Sequence, residues 1–209
     1  MNIAYFDCFR GAGGDMIVAA LIDAGADADA LRKGLSALKI GGYGLSIERV
    51  TKQGIAATRF NVQLDADAPQ PHRHLRHVLE ILKSSALSEG VREKACRVFQ
   101  RLAEAEAAVH GTTVEKVHFH EVGAVDAIVD VVGAVLALEL LHVDRVVCSP
   151  IPTGSGTVTC DHGVLPIPAP ATARLLLGVP LSACDEVGEL TTPTAAAVLT
   201  TLSSTFGPI

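Results

Sequence analysis

The 209-residue sequence has no tryptophan, and aromatic residues make up only 4% of it. Stacking surfaces for single-stranded nucleic acid are therefore not expected, because they depend on aromatic side chains. Basic residues are also few: 17 Lys and Arg stand against 23 Asp and Glu, which gives a net charge of −6 with histidine neutral. This balance argues against a DNA- or RNA-binding protein, which needs a basic surface to neutralise phosphates.

Long apolar runs are missing as well. The longest, Val131 to Leu138, falls well short of the roughly 20 residues that cross a membrane. The first residues lack the basic and apolar regions of a secretory signal. The five cysteines are scattered and form no Cys-x-x-Cys pair, which predicts neither a disulfide framework nor a zinc finger. These features predict a cytoplasmic protein that binds no membrane.

Apolar periodicity predicts an α/β fold, with a mixed sheet and flanking helices. Within residues 1–209, a hairpin and a long amphipathic helix at 42–112 are predicted to form a small α+β subdomain. The predicted strands are 2–6, 45–50, 56–64, 145–148, 157–160 and 180–184. The predicted helices are 16–24, 29–38, 75–83, 88–110, 125–141, 169–177 and 194–202.

The strongest candidate for chemistry is the string that contains His118, His120 and Glu121, followed by Asp126 and Asp130. His-x-His in an extended segment places both imidazoles on one side. The two aspartates are four residues apart, so they share one face of an apolar helix. Imidazoles and carboxylates suit nickel, zinc or manganese. The alternative is that the acids cap helices or pair with arginines, and that the histidines are ordinary surface residues.

The glycine-rich turn from Asp7 to Asp15 lies between a predicted strand and a predicted helix. It resembles a phosphate cradle in outline, but it lacks the third glycine of a dinucleotide site and the Gly-Lys-Ser/Thr of a P-loop. A carboxylate at the helix start favours a metal or a metal-bound phosphate. The alternative is a tight strand–helix corner with Asp15 as the N-cap residue.

Two further loops are rich in hydroxyl groups. Gly154 to Thr157 could donate to a phosphate or a carboxylate, and the nearby Cys160 and His162 could ligate a soft metal. A plain hairpin is the alternative. Glu189 to Thr194 leads into the last predicted helix, where Thr191 or Thr192 as N-cap is favoured by spacing alone.

The string His72 to His77 is locally basic in an acidic chain. It could contact a phosphate or a carboxylate, and it could equally be a solvated helix start.

Five strings of this sequence match one known pattern. They are Asp7-Cys8-Phe9-x-Gly11-x-x-Gly14-Asp15-Met16, His118-Phe119-His120-Glu121-Val122-Gly123-Ala124-Val125-Asp126-x-Ile128-Val129-Asp130, Gly154-Ser155-Gly156-Thr157, His162-Gly163-x-Leu165-Pro166-x-Pro168-Ala169-Pro170-Ala171-Thr172 and Glu189-Leu190-Thr191-Thr192-Pro193-Thr194. Together they resemble the LarC family, the nickel-insertion proteins of nickel-pincer cofactor biosynthesis. Two positions depart from the family pattern: Arg10 stands where a small residue is usual, and Ala195 where glycine is usual.

The resemblance implies a nickel chelatase of the lyase class. Such an enzyme inserts nickel into pyridinium-3,5-bisthiocarboxylic acid mononucleotide, forming a carbon–nickel bond in the cofactor of lactate racemase. It implies a CTP-dependent cyclometallase whose further C-terminal region binds the nucleotide, with Mg or Mn. That region is expected to be absent from this sequence. It would act on this part either from the same polypeptide or from a second one. A homo-oligomer is also expected.

The resemblance, taken with the residue types, suggests roles for particular side chains. One carboxylate or His162 would remove the ring proton, and the hydroxyl-rich loops would hold the mononucleotide. The expected metal ligands are His118, His120, Glu121, Asp7 and Asp15. The expected catalytic residues are Asp126, Asp130 and His162. The expected mononucleotide contacts are Arg10, Gly11, Gly14, Gly154, Ser155, Gly156, Thr157, Thr191 and Thr192.

Two alternatives remain open from the sequence. A metal-dependent phosphohydrolase would use the aspartates at positions 7, 15, 126 and 130 around Mg or Mn. A non-enzymatic metallochaperone or subunit would bind nickel and pass it to a partner.

Overall fold

The computed structural model describes residues 1–67, 73–119, 124–160 and 162–208. The helices are Gly14–Asp23 (α1), Ala28–Ser36 (α2), Leu75–Ser84 (α3), Glu89–Val109 (α4), Val125–Leu140 (α5), Pro170–Leu175 (α6) and Pro193–Leu202 (α7). The strands are Ile3–Phe6 (β1), Tyr43–Lys52 (β2), Ile55–Leu64 (β3), Arg73–His74 (β4), His118–Phe119 (β5), Arg145–Cys148 (β6), Gly154–Ser155 (β7), Thr157–Cys160 (β8), Gly163–Pro166 (β9), Gly188–Glu189 (β10) and Ser203–Phe206 (β11). No helix in these ranges has the length and apolar character to cross a membrane.

A three-stranded parallel sheet joins the two ends of the chain. β6 is the central strand, with β1 on one side and β11 on the other. Parallel strands need long crossover connections, and helical segments separate these three in sequence. Because the strands are parallel, the segments that follow them leave from the same edge of the sheet. There the backbone N–H of Cys8 donates to Ser149 Oγ at 2.9 Å.

Helix α5 is the centre of the hydrophobic core. The sequence predicts a helix that is apolar nearly all round and therefore buried, and the structure confirms this. α5 packs against α1, α2, α4, α7 and β3. A Cβ atom at Gly133 would lie 3.1 Å from Val18 Cγ2, so this glycine allows α1 to approach α5 closely.

The predicted hairpin is confirmed as β2 and β3, which pair from Tyr43 opposite Leu64 to Lys52 opposite Ile55. Its two-residue turn is Gln53-Gly54, with φ of 51° and 82°. Positive φ at both turn residues matches the twist of the flanking strands. Phe60 of β3 is buried in the same core cluster as α1 and α5. Separate folding of residues 42–112 stays a prediction.

Helix α4 also matches its sequence pattern. Ser88 is the N-cap, a position that favours serine, and its Oγ accepts from the Val91 backbone N–H at 3.2 Å. The apolar stripe that begins at Val91 is buried as far as Ala105, whereas Val109 is 42% exposed. α4 packs its buried side against α5, α6 and α7.

The α/β class is confirmed. Within the described ranges, the parallel and antiparallel pairs lie in separate small sheets. The predicted strand at 180–184 is wrong, because Leu181 forms only an isolated bridge with Ile151. Proline has no backbone N–H to donate to a neighbouring strand, and this part of the chain is rich in proline. β11 was not predicted, since Ser203-Ser204-Thr205-Phe206 is mostly polar and gains strand geometry only by pairing with β6.

Candidate functional site

Three of the loops singled out by sequence are hydrogen-bonded to one another. The Ala12 backbone N–H donates to the Leu190 carbonyl at 2.9 Å, and the Thr192 N–H donates to the Ala12 carbonyl at 3.1 Å. The Leu190 N–H in turn donates to the Thr153 carbonyl at 3.1 Å. Gly11 adopts φ of +89° beside the Leu190 carbonyl, where a Cβ atom has no room. The glycine-rich turn is therefore fixed against the loop that precedes α7.

An acidic pocket of about 280 Å³ lies beside this junction. Helices α1, α5 and α7 all begin there, and their N-terminal partial positive charges favour carboxylates. We call it the acidic pocket, and its lining residues are Gly14, Asp15, Asn61, Val62, Asp126, Asp130, Thr192 and Thr194. The structure thus brings together Asp126 and Asp130 with Asp15, which was predicted as part of a separate motif.

Asp130 is the most perturbed carboxyl group in the pocket. Its Oδ1 atom is buried and has no hydrogen-bond partner within the described ranges. Burial, with smaller contributions from the nearby Asp15 and Asp126 charges, raises the pKa of Asp130 to about 8, although a hydrogen bond from the Asp15 backbone opposes the shift. Asp130 is therefore protonated at neutral pH, unlike an ordinary aspartate.

The first turns of the converging helices explain the other pocket residues. Asp126 Oδ1 accepts from the Ala127 backbone N–H at 2.9 Å. The N-cap of α1 is Gly13, with no side-chain cap, so the interpretation of Asp15 as the N-cap is wrong. Asp15 lies in the first helical turn and lines the pocket. Thr192, one of the two threonines that spacing favoured, is the N-cap of α7, and its Oγ accepts from the Ala195 N–H at 3.2 Å.

His118 lies outside the acidic pocket, on the two-residue ladder between β4 and β5. It is directly opposite His74, and the ring centres are 3.9 Å apart. His74 Nδ1 is 3.0 Å from the Val117 carbonyl. His120 and Glu121, the other two members of the predicted ligand set, lie outside the described residues, as does His72. Within the described ranges, no three His, Cys, Asp or Glu side chains form a ready-made metal-binding group.

His162 lies in a second cavity, of about 270 Å³. Its ring centre is 4.9 Å from that of His110, and His110 Nε2 is 3.5 Å from Glu106 Oε2. We call it the histidine cavity, and Cys160 and Glu189 also line it. Sequence reasoning missed Glu106 and His110. Their four-residue spacing at the end of a helix was the available signal, but nothing linked that helix end to His162.

Three of the residues expected to hold the mononucleotide have side chains that are engaged within the protein. Arg10 forms an ion pair with Glu186. Ser155 Oγ donates to the Glu186 carbonyl at 2.9 Å. Thr191 is fully buried, and its Oγ donates to the Pro152 carbonyl at 2.7 Å. Of the expected contacts, Gly14 and Thr192 line the acidic pocket.

Asp7 and Asp15 were expected to share a metal, but they occupy different surroundings. Asp7 is exposed and lies close enough to Tyr5 and Cys8 to influence their ionisation. Asp7 is not among the residues that line the acidic pocket.

Comparison with known proteins decides the family. The family model described as "Nickel insertion protein" matches residues 4–209. The chain belongs to the nickel insertion protein family. The predicted resemblance is therefore confirmed, and the acidic pocket and the histidine cavity are features of a nickel insertion protein.

Relatives of similar identity come from several bacteria. A "Putative nickel insertion protein" of Citrifermentans bemidjiense is 50% identical over 208 residues, which covers all of this chain and 54% of the relative. One of Geotalea uraniireducens is 51% identical, covering 99% of this chain and 53% of the relative. A "Pyridinium-3,5-bisthiocarboxylic acid mononucleotide nickel insertion protein" of Desulfitobacterium hafniense is 50% identical, covering all of this chain and 51% of the relative. The chain thus spans about half the length of these curated relatives. No solved structure matches it.

Proposed function

We propose that this chain takes part in nickel insertion into pyridinium-3,5-bisthiocarboxylic acid mononucleotide, and that Asp130 accepts the proton which nickel replaces on the pyridinium ring. Family membership and the printed name of the Desulfitobacterium hafniense relative support the reaction. The observation that carries the assignment of Asp130 is its buried carboxyl group, with an unpartnered Oδ1, where three helix starts converge.

The chemistry requires a base and a place for a divalent cation. The electron pair of the ring C–H bond becomes the carbon–nickel bond, and the proton leaves to a base. Asp15 and Asp126 supply negative charge that attracts Ni²⁺. Nickel accepts oxygen ligands but binds the sulfurs of the thiocarboxylates more tightly, so the ion can pass from the protein to its acceptor.

Asp130 is suited to take the proton because its pKa is near the working pH, where a general base is most effective. Its pKa of about 8 follows from burial beside two carboxylates. A bound divalent cation would offset those two charges and favour the ionised form of Asp130. The base would therefore be charged when the metal is present and protonated when the pocket is empty of cations.

The mononucleotide would lie across the loops that meet at this pocket. Thr192 and Thr194 offer hydroxyl groups at the start of α7, and helix starts favour anionic groups. The loop from Gly154 to Thr157 and Arg10 stay predicted contacts for the phosphate. Arg10 would exchange its ion pair with Glu186 for the phosphate.

We propose that complete turnover requires more than this chain. The curated relatives are about twice as long. We assign the use of CTP, with Mg or Mn, to the part of those relatives that this chain does not match. That part would act in cis or in trans, and lyase activity would depend on it.

The test is an insertion assay with purified chain, Ni²⁺ and the bisthiocarboxylate mononucleotide. It is run with and without CTP, Mg²⁺ and the C-terminal part of a relative, and the product is followed by mass spectrometry. We expect Asp130→Asn to lower the insertion rate at least about 100-fold, the usual size of a general-base contribution. Asp29→Asn, in the first turn of α2 and outside the pocket, is the matched control and should react like the unchanged chain.

Other results would assign a different function. An unchanged rate in Asp130→Asn would exclude Asp130 as the proton acceptor. Stoichiometric nickel binding with no insertion under any of these conditions would support the metallochaperone alternative. Phosphate release from nucleotides by the chain alone would support the phosphohydrolase.

A further inference from the structure

The histidine cavity has the composition of a binding site for a transition-metal cation. Its walls are aliphatic, formed in part by Val109, Val158 and Leu165. Its polar lining consists of two imidazoles, two carboxylates and a thiol, and no lysine or arginine is among its described lining residues. The polar residues are Glu106, His110, Cys160, His162 and Glu189. Every one of these side chains can ligate a borderline metal ion.

The spacing of the two imidazoles fits a shared ion. Metal–nitrogen bonds of about 2.1 Å place the centres of two adjacent ligating imidazole rings about 4.5 Å apart. The ring centres of His110 and His162 are 4.9 Å apart, which is close to that separation. Glu106 Oε2, at 3.5 Å from His110 Nε2, supplies a carboxylate next to the pair.

Charge distinguishes this pair from the other close histidine pair. His74 and His118 have ring centres 3.9 Å apart, but Arg73 and Arg76 flank His74 in sequence, and Arg76 Nε donates to His77 Nε2 at 3.2 Å. Neighbouring guanidinium groups repel a cation and favour an anion. The histidine cavity has carboxylates in the equivalent place.

We propose that His110 and His162 form a loading site for Ni²⁺, with Glu106 beside them. The proposal rests on the proposed function, because it takes nickel as the ion that the chain handles. Two imidazole ligands leave coordination positions for water and for the sulfurs of an incoming thiocarboxylate. The metal stays Ni²⁺ throughout, and binding exchanges coordinated water for neutral imidazole nitrogen.

The loading site adjoins the acidic pocket through one segment of chain. Glu189 and Pro193 line the histidine cavity, whereas Thr192 and Thr194 line the acidic pocket. Nickel held at His110 and His162 is therefore separated from the pocket of Asp130 by the chain leading into α7.

The test is calorimetric titration of the untagged 209-residue chain with nickel sulfate at pH 7.5, without substrate. We expect one ion per chain. His110→Ala/His162→Ala should weaken binding at least tenfold, and Glu106→Gln about threefold. The control double variant His74→Ala/His77→Ala removes the same number of imidazoles and should bind like the unchanged chain. If circular dichroism shows that His110→Ala/His162→Ala is unfolded, the single His162→Ala variant replaces it. That substitution should be tolerated, because His162 is exposed and lies in a turn.

The outcomes separate this proposal from the proposed function. Unchanged nickel affinity in folded His110→Ala/His162→Ala, or the loss of binding only in His74→Ala/His77→Ala, would overturn the loading site, and insertion at Asp130 would be unaffected. No nickel binding by the unchanged chain would overturn it too. Binding that depends on His110 and His162 without insertion would uphold the loading site and contradict the proposed function alone.

Discussion

At the scale of single residues, Asp130 shows how position changes the chemistry of a common side chain. From sequence it was one of two aspartates on an apolar helix, four residues apart. The fold adds a third carboxylate, Asp15, whose backbone N–H donates to Asp130. A Cβ atom on Gly14 would lie 2.6 Å from Asp130 Oδ2, so the absence of a side chain there is what admits the carboxyl group.

The raised pKa of Asp130 predicts a specific dependence of stability on pH. Between its ordinary value of 3.8 and about 8, the folded chain keeps a proton that the unfolded chain has lost. The free energy of unfolding therefore falls as pH rises through this range, by up to about 1.4 kcal/mol per pH unit from this group. Asp130→Asn has no such proton, so its melting temperature should rise relative to that of the unchanged chain from pH 4 to pH 8.

Thermal denaturation at unit pH intervals measures this difference. Asp29→Asn serves as the control and should keep a constant offset, because Asp29 lies in an exposed first turn. Parallel curves for the unchanged chain and Asp130→Asn would contradict the raised pKa.

At the scale of elements, the start of α7 has two tasks. Thr192 caps the helix through its Oγ, and the same residue lines the acidic pocket. Its backbone N–H donates to Ala12 and so fixes the glycine-rich turn. Local sequence predicted a cap at Thr191 or Thr192, and the structure shows that it is Thr192, which precedes a proline at the first helical position. The bond to Ala12, 180 residues away in sequence, could not be predicted from local signals.

Removing the cap should destabilise the chain by a known amount. Thr192→Ala leaves the Ala195 N–H without its partner and should lower the free energy of unfolding by about 1 kcal/mol. Thr192→Ser keeps a hydroxyl and should restore most of it. Urea denaturation measures both, with Thr194→Ala as a control that removes a neighbouring hydroxyl with no capping role. Equal stability of Thr192→Ala and the unchanged chain would contradict the cap.

At the scale of the whole molecule, the parallel sheet joins the first, middle and last parts of the chain. Its strands bring Cys8 and Cys148 together, with their Sγ atoms 3.7 Å apart. Both thiols are buried, at 5% and 0% exposure, whereas Cys96, Cys160 and Cys184 are half-buried. All five cysteines are free. The two buried thiols should therefore react only when the sheet unfolds, whereas the three half-buried thiols can react in the folded chain.

Thiol labelling with a chromogenic disulfide reagent should separate these groups. Three thiols should react in the folded chain. The other two should react at the rate of unfolding, because only loss of the sheet exposes them. Replacing Cys96, Cys160 and Cys184 with serine should abolish the fast phase and leave the slow one. Five thiols reacting at one rate would contradict this arrangement of the sheet.

Features that depend on neighbours along the chain could be predicted before the fold was known. They include the amphipathic and buried helices, the hairpin, a threonine cap at the start of the last helix, and the family, because periodicity, capping and motif strings are local properties of the sequence. Which side chains meet is a property of the packed fold. In the fold, Asp15 lies with Asp126 and Asp130 in one pocket. His162 lies in a different cavity, next to His110 and Glu106. Thr191 is buried, with its hydroxyl bonded to the Pro152 carbonyl. These contacts join segments far apart in sequence, and only the packing of the helices and the parallel pairing of β1, β6 and β11 fixes their distances.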